Sequence, residues 1–255
     1  MATVLGYGNQ TDDATLSGGS WDAAYPLTHL KNRYLFQRAR TTDNLATSSQ
    51  FVVDTGENQT IGVVALVRTN ITLNGTVRVK GFSDAGLTTL VYDSGVLPVT
   101  VAGEFAHHFA PSEAARYWQV LINDPVNPAG YIEIGRAFVG WRFMPAVCQD
   151  WGMTIGVESQ TVVMQALAGP EFFDSRPNRR ILRGQWSWLT QTEAHDVWLA
   201  ILRAQDVEKE VYIMMDTDFG SPAQTWFLGR LRELSAVDWP YLDRCSAGFE
   251  IGEVL

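Results

Sequence analysis

The segment Ile61-Gly62-Val63-Val64-Ala65-Leu66-Val67 is apolar at every position. Side chains alternate between the two faces of a strand, so a strand with a face left in water shows polar residues at every second place. A run with none must be covered on both sides, which predicts a central strand at the heart of a packed domain. Further on, Thr76-Val77-Arg78-Val79-Lys80-Gly81-Phe82 alternates instead. That pattern predicts a strand with Val77 and Val79 in the core and Arg78 and Lys80 on a wet face.

Around these two segments the first half of the chain repeats one theme. Further β-type runs are expected at Phe51–Asp54, with the apolar run extended to Ile61–Arg68, and at Leu90–Tyr92, Tyr117–Ile122 and Tyr131–Phe143. Between them lie Thr55-Gly56-Glu57-Asn58, Leu73-Asn74-Gly75, Asp84-Ala85-Gly86 and the stretch from Asp124 to Gly130. Those clusters hold the residues that accept positive φ or fix a bend, so the pattern predicts an antiparallel sandwich. The pattern stops near Met144-Pro145-Ala146-Val147, and a chain of 255 residues exceeds the usual single domain, so we expect one domain over 1–145 and another over 146–255.

The second half predicts a β-rich α+β domain with one packed helix near 191–204. Thr190-Gln191-Thr192-Glu193 fits a capping box, and Ala194, Val197, Trp198, Ile201 and Leu202 then recur at helical spacing. His195, Asp196 and Arg203 fall outside that stripe. Strand-like segments flank the helix at Met153–Ala168, Arg179–Leu189, Glu210–Met215, Thr225–Leu231 and Ala247–Ile251. Trp186 and Trp188 stand at alternate positions, which puts them on one strand face where they meet Trp198 beneath the helix. The alternative use of these indoles is an exposed platform for stacking sugars.

Two blocks carry a family resemblance: FVVDTGENQTIGVVALVRTNITLNGTVRVKGFSD (Phe51 to Asp84) and YWQVLINDPVNPAGYIEIGRAFVGWRFMP (Tyr117 to Pro145). They resemble the discoidin-like (galactose-binding-like) jelly-roll domains of tail proteins from long-tailed bacteriophages. In the second half RPNRRILRGQWSWL, TEAHDVWLAIL, LGRLREL and RCSAGFEIGEVL are similar to the carboxy-terminal part of such proteins. The resemblance implies an N-terminal jelly-roll sandwich and a structural role at the tail tip or baseplate of a virion. It also implies other tail proteins and ring-arranged copies of the same chain as partners, with no cofactor. Discoidin-like folds that bind sugars use loops at one end of the sandwich. A host surface polysaccharide is therefore the alternative partner, with Trp21, Tyr25, Arg78 and Lys80 as candidate contacts.

Charge and composition narrow the remaining classes. Residues 1–145 carry 10 Lys+Arg against 12 Asp+Glu, and residues 146–255 carry 9 against 16, giving −2 and −7. Nucleic-acid binding needs a clustered basic face. The densest basic group, Arg176, Arg179, Arg180 and Arg183, leads straight into an apolar strand pattern, so it predicts a solvated turn or a subunit contact facing the acidic second half of a neighbour. Cys148 and Cys245 lack the spacing of a zinc or redox motif and predict buried reduced thiols. No apolar run reaches the length of a membrane span.

No catalytic or metal site is expected. No GxSxG elbow accompanies His29, His107, His108 or His195, and no pair of carboxylates is identifiable for glycoside hydrolysis. Asp216-Thr217-Asp218 reads as a turn before Phe219-Gly220-Ser221-Pro222 rather than as a cation site, and His107-His108 as a surface or interface pair. Gly6-Tyr7-Gly8 lacks the later glycine of a dinucleotide fingerprint and reads as a loop.

Overall fold

The computed structural model describes residues 3–147, 152–165, 169–215, 217 and 221–255. Its strands in the first half are β1 (Val4–Tyr7), β2 (Thr15–Ser17), β3 (Ala39–Arg40), β4 (Gln50–Val67), β5 (Thr76–Phe82), β6 (Leu90–Asp93), β7 (Leu97–Pro98), β8 (Phe105–Asn123), β9 (Glu133–Ile134) and β10 (Arg136–Phe143). The second half adds β11 (Thr154–Glu158), β12 (Val162–Gln165), β13 (Glu171–Asp174), β14 (Arg179–Thr190), β15 (Glu210–Met214), β16 (Trp226–Leu231), β17 (Val237–Tyr241) and β18 (Arg244–Glu253). The pairings among them are antiparallel. The chain is thus mainly β, an N-terminal antiparallel jelly-roll sandwich followed by a β-rich part with one packed helix.

The sandwich is built from two strands far longer than the sequence pattern suggests. Thr55 to Asn58 does not end a strand; β4 runs through it, and the register against β8 shifts between Asp54 and Gln59 and again between Ile61 and Val63. Extra residues at such bulges bend a strand and increase its twist. Each long strand therefore serves two layers. Gln50–Asp54 pairs with the end of β8, which carries β5 on its other side, while the apolar run of β4 lies between β10 and the start of β8. Phe51 and Val53 from one layer and Val64 and Leu66 from the other meet in one core with Trp118 and Phe109. His107 and His108, expected as a surface or interface pair, lie within β8 and are partly buried.

The apolar run is covered on both faces, and by different partners. Ile61, Val64 and Leu66 face the sandwich core. Val63, Ala65 and Val67 face the other way, onto Val4, Phe138, Tyr212, Met214 and Leu228. Residues from both halves of the chain dry that second face.

Strand β1 makes the junction. It pairs with β10 of the sandwich on one side and with β15 on the other, so an unbroken ladder order runs β11-β14-β18-β16-β15-β1-β10-β4-β8-β5-β6. Gly6 is therefore in a strand and not in a loop. A Cβ there would sit 2.8 Å from Phe138 Cε1, which explains the glycine by close approach. At the same seam the fully buried Arg136 of β10 meets Asp12 at 2.6 Å and Glu210 of β15 at 2.7 Å, and donates to the Leu30 carbonyl. A buried guanidinium is tolerated only when held by carboxylates in this way.

The second core lies under the helix. Residues Glu193–Trp198 form a π-type turn that continues as α1 (Leu199–Gln205). Its start follows the expected capping box: the Thr190 hydroxyl accepts from Glu193 N at 3.2 Å and the Glu193 carboxylate accepts from Thr190 N at 2.9 Å. Ala194, Trp198, Ile201 and Leu202 are buried as the spacing predicts, together with Leu182, Phe227, Phe249 and Ile251. Trp186 meets Trp198 edge-on at 4.7 Å. Trp188 does not join them. The register of β14 against β18 shifts between Trp186 and Leu189, and this bulge leaves Trp188 49% exposed. Cys245 is a buried free thiol, whereas Cys148 lies outside the described residues. Among the described residues no helix is long and apolar enough to cross a membrane.

Candidate functional site

Between β11 and β14 the chain leaves the body as an arm. Among the described residues, strands β12 and β13 pair only with each other, in the register Val162↔Asp174, Val163↔Phe173, Met164↔Phe172 and Gln165↔Glu171. Directly paired residues share a face and successive pairs alternate, so Val163 and Phe173 occupy one face and Met164 and Phe172 the other. All eight side chains are exposed. Val162, Val163, Met164, Phe172 and Phe173 are between 40% and 61% exposed, so the arm offers apolar surface on both faces. An isolated two-stranded hairpin is marginal in water, and soluble monomers rarely display clustered apolar side chains of this kind. Full burial of such a side chain is worth about 1.5–3 kcal/mol, so covering what these five leave exposed would supply on the order of 5 kcal/mol.

Sequence reasoning missed this feature. The sequence pattern predicts one strand-like segment over Met153–Ala168 and none at Glu171–Asp174. The available signal was Gly169-Pro170 between the apolar runs Val162-Val163-Met164 and Phe172-Phe173, a turn pair joining two short strands.

The arginines singled out from sequence lie at the root of the arm. Each is held within the chain: Arg176 by Asp174 at 2.7 Å, Arg179 by Glu158, Arg180 by Glu253 at 2.6 Å, and Arg183 by Glu250 at 2.7 Å. Arg180 is largely enclosed and also donates to the carbonyls of Ala223 and Trp226, which ties the root to the body. Arg176 and Arg183 have side chains 56% and 60% exposed. Arg183 holds the Glu250 carboxyl below its ordinary range. A groove of about 300 Å³ lies over β11 and β14, lined by Thr154, Ile155, Gly156, Val157, Ile181 and Arg183.

The sandwich candidates separate into two groups. Trp21 rests edge-on against Phe51 at 6.3 Å, and its indole donates to the Gly18 carbonyl. Tyr25 lies over the Arg40 guanidinium at 4.2 Å, with Tyr131 at 4.3 Å from the same group and Glu133 bound to it at 2.8 Å. Arg78 and Lys80 project from β5 on the face opposite Val77 and Val79, so they do not converge with Trp21. Arg78 grips Asp93 through two bonds and holds its carboxyl down at about 2.

His107 is half-buried and shares a 2.9 Å hydrogen bond with the Tyr92 hydroxyl. Burial, followed by the neighbouring His108, pushes its pKa down to about 4, so it is a neutral structural member of the sheet. Among the described residues no group of three His, Cys, Asp or Glu side chains could hold a metal ion. Asp216 and Asp218 lie outside those residues.

No protein-family model matches the chain, and no curated protein does either. Solved structures align with about half of it. They include the lectin-binding domain of lectinolysin, a His 62 mutant complexed with Lewis b (17% identity, TM-score 0.43, 52% of this chain and 96% of that one). A Streptococcus pneumoniae fucose-binding module is similar at 16% identity and TM-score 0.42, over 52% of this chain and 95% of its own. The module CBM32-1 of a family 31 glycoside hydrolase from Clostridium perfringens aligns at 15% identity and TM-score 0.42, over 52% and 98%. Likeness at this level carries no inference about a ligand.

Proposed function

We propose that this chain is a structural protein that works by docking into a larger assembly, and that the assembly is the tail tip or baseplate of a long-tailed bacteriophage. The observation that carries the docking role is the arm, apolar on both faces and exposed on both. Its setting in a tail is supported by the resemblance of Phe51 to Asp84 and Tyr117 to Pro145 to phage tail domains. In this reading the protein acts by contact rather than turnover, its partners are other tail proteins and copies of itself, and it resides in the virion. The test is immunogold labelling of particles from a lysate of the source. Label at the tail tip supports the assignment, and tails without label overturn it.

A second reading, a carbohydrate-binding module for host surface polysaccharide, is favoured by a separate observation. Tyr25 is 39% exposed above Arg40 and presents an aromatic face beside charged hydrogen-bonding groups, the combination that stacks and orients a pyranose. Titration calorimetry with fucose- and galactose-terminated oligosaccharides tests it. Binding that Tyr25→Ala weakens at least about tenfold, or about 1.4 kcal/mol, supports this reading, and no heat from any glycan removes it.

A further inference from the structure

We infer that a basic groove beside the loop at 32–37 binds an acidic saccharide, a chain of pyranose rings that carry carboxylates. The site is separate from the Tyr25 surface of the second reading above, and it depends on neither reading of the function. An exposed aromatic platform and cations left unspent within the chain carry it.

Leu35 is buried in the core at the seam, and the residues on either side of it stand out. Tyr34 is 66% and Phe36 76% exposed, with their rings 5.8 Å apart. Local bonds fix this loop: Tyr34 N donates to the Asn32 side chain at 2.9 Å, and Gln37 N donates to the Tyr34 carbonyl at 3.0 Å. Tyr34 lines a cavity of about 560 Å³ together with Lys31, Arg33 and Arg230. A second cavity of about 500 Å³, whose wall includes Arg179, Arg230 and Arg232, adjoins the first across Arg230, Val254 and Leu255. The two make one elongated groove with cations along its length.

These cations are not all cancelled within the chain. Arg33 pairs with Glu208 at 2.9 Å, while Arg179 and Arg232, the latter at 3.5 Å, share the single carboxylate of Glu158. Arg230 has Glu210 at 3.6 Å, whose other oxygen Arg136 holds at 2.7 Å, and the buried Arg230 Nε has no hydrogen-bond partner among the described residues. Lys31 donates to the Ala14 carbonyl at 2.8 Å and pairs with no carboxylate among those residues. Glu253 also lines the groove, but Arg180 holds it at 2.6 Å. Five cations therefore face the side-chain carboxylates of Glu208, Glu158 and Glu210, which leaves two charges for a ligand. A tyrosine ring stacks on the apolar face of a pyranose, and guanidinium forks take its carboxylate. Backbone donors in the wall, Val254 N and Arg232 N, are already spent on the Leu228 and Glu250 carbonyls, so they cannot pair with an extended peptide. A net charge of −9 repels a polyphosphate, whereas carboxylates spaced along a sugar chain match two spare cations.

The test is titration calorimetry of the full chain at about 0.15 M salt, where loose surface attraction is screened. The probes are trigalacturonate and a hyaluronan tetrasaccharide, each with its carboxyl methyl ester as the uncharged counterpart, and an oligothymidylate as a polyphosphate. The expected result is a Kd of about 1 mM or tighter for an acidic probe and at least tenfold weaker binding of its ester. Two variants, Tyr34→Ala and Arg33→Gln/Arg232→Gln, should each weaken binding at least tenfold, whereas Tyr25→Ala should leave it unchanged. The replaced side chains are more than a third exposed, and matching circular dichroism and thermal unfolding confirm that each variant folds. No heat from either acidic probe, an ester that binds as well as its acid, a groove variant that binds like wild type, or an oligothymidylate that binds as tightly as the glycan overturns the proposal. Binding that Tyr25→Ala abolishes and Tyr34→Ala spares would end this inference and leave the second reading standing. The reverse pattern supports the groove.

Discussion

The strand Ile61–Val67 and the arm Val162–Asp174 share one property, apolar residues on both faces, and differ in what becomes of them. In the first, each face meets a separate core, one in the sandwich and one at the seam with the second half of the chain. In the second, both faces are left largely exposed. The same composition is therefore structural where the tertiary fold covers it and available for contact where it does not. The difference teaches that exposure, not hydrophobicity, separates an interface residue from a core residue.

The comparison can be broken by mutation. Phe51→Ala, in the covered region, should cost about 3–5 kcal/mol in urea unfolding, since it leaves a cavity in a fully packed core. Arg136→Ala should cost a similar amount, about 3–5 kcal/mol, because it removes the nearer of the two guanidinia that hold the buried Glu210 carboxylate and leaves Arg230 at 3.6 Å. If it unfolds the sandwich and the helical part in separate transitions, the seam is weaker than its burial implies.

A titration sharpens the comparison further. His107 is held neutral by burial at a pKa of about 4, against an ordinary 6.5. The unfolded chain then binds a proton that the folded chain refuses. Stability from this group is complete above pH 6.5 and is lost as the pH falls toward 4, by roughly 2 kcal/mol after allowing for its partial exposure. His107→Gln should flatten that slope, which unfolding curves at several pH values will show. Loss of the helix cap in Thr190→Ala should cost about 1 kcal/mol. The smallest effect belongs to the arm: Phe173→Ala in dilute monomer should change stability by no more than about 0.5 kcal/mol, and a larger loss would mean the arm packs on its own body.

Much of this was legible from local pattern. The alternation in Thr76–Phe82 places Val77 and Val79 inside and Arg78 and Lys80 outside, and the structure agrees. The helix stripe from Ala194 to Leu202 and its capping box follow from spacing within a single turn. What stayed illegible depended on pairing. Thr55 to Asn58 has the residues of a turn, yet it is a bulge because β8 continues beside it. Trp188 has the position of a core residue, yet an irregular register turns it out. Of the proposed interface arginines, sequence found the cluster but not the carboxylates that hold it, which lie up to 73 residues away at Glu253.

By itself the sequence determined the β class of the chain, the one helix and its cap, and the need for two covered faces on Ile61–Val67, because propensity, alternation and capping act over a few neighbouring residues. Only the tertiary structure decided which surface covers the second face, that β1 seams the two halves into one ladder, and that Val163, Phe173, Met164 and Phe172 are left without cover. Those outcomes depend on which distant strands pair and in what register, and a shift of one residue at a bulge is enough to move a side chain from core to solvent.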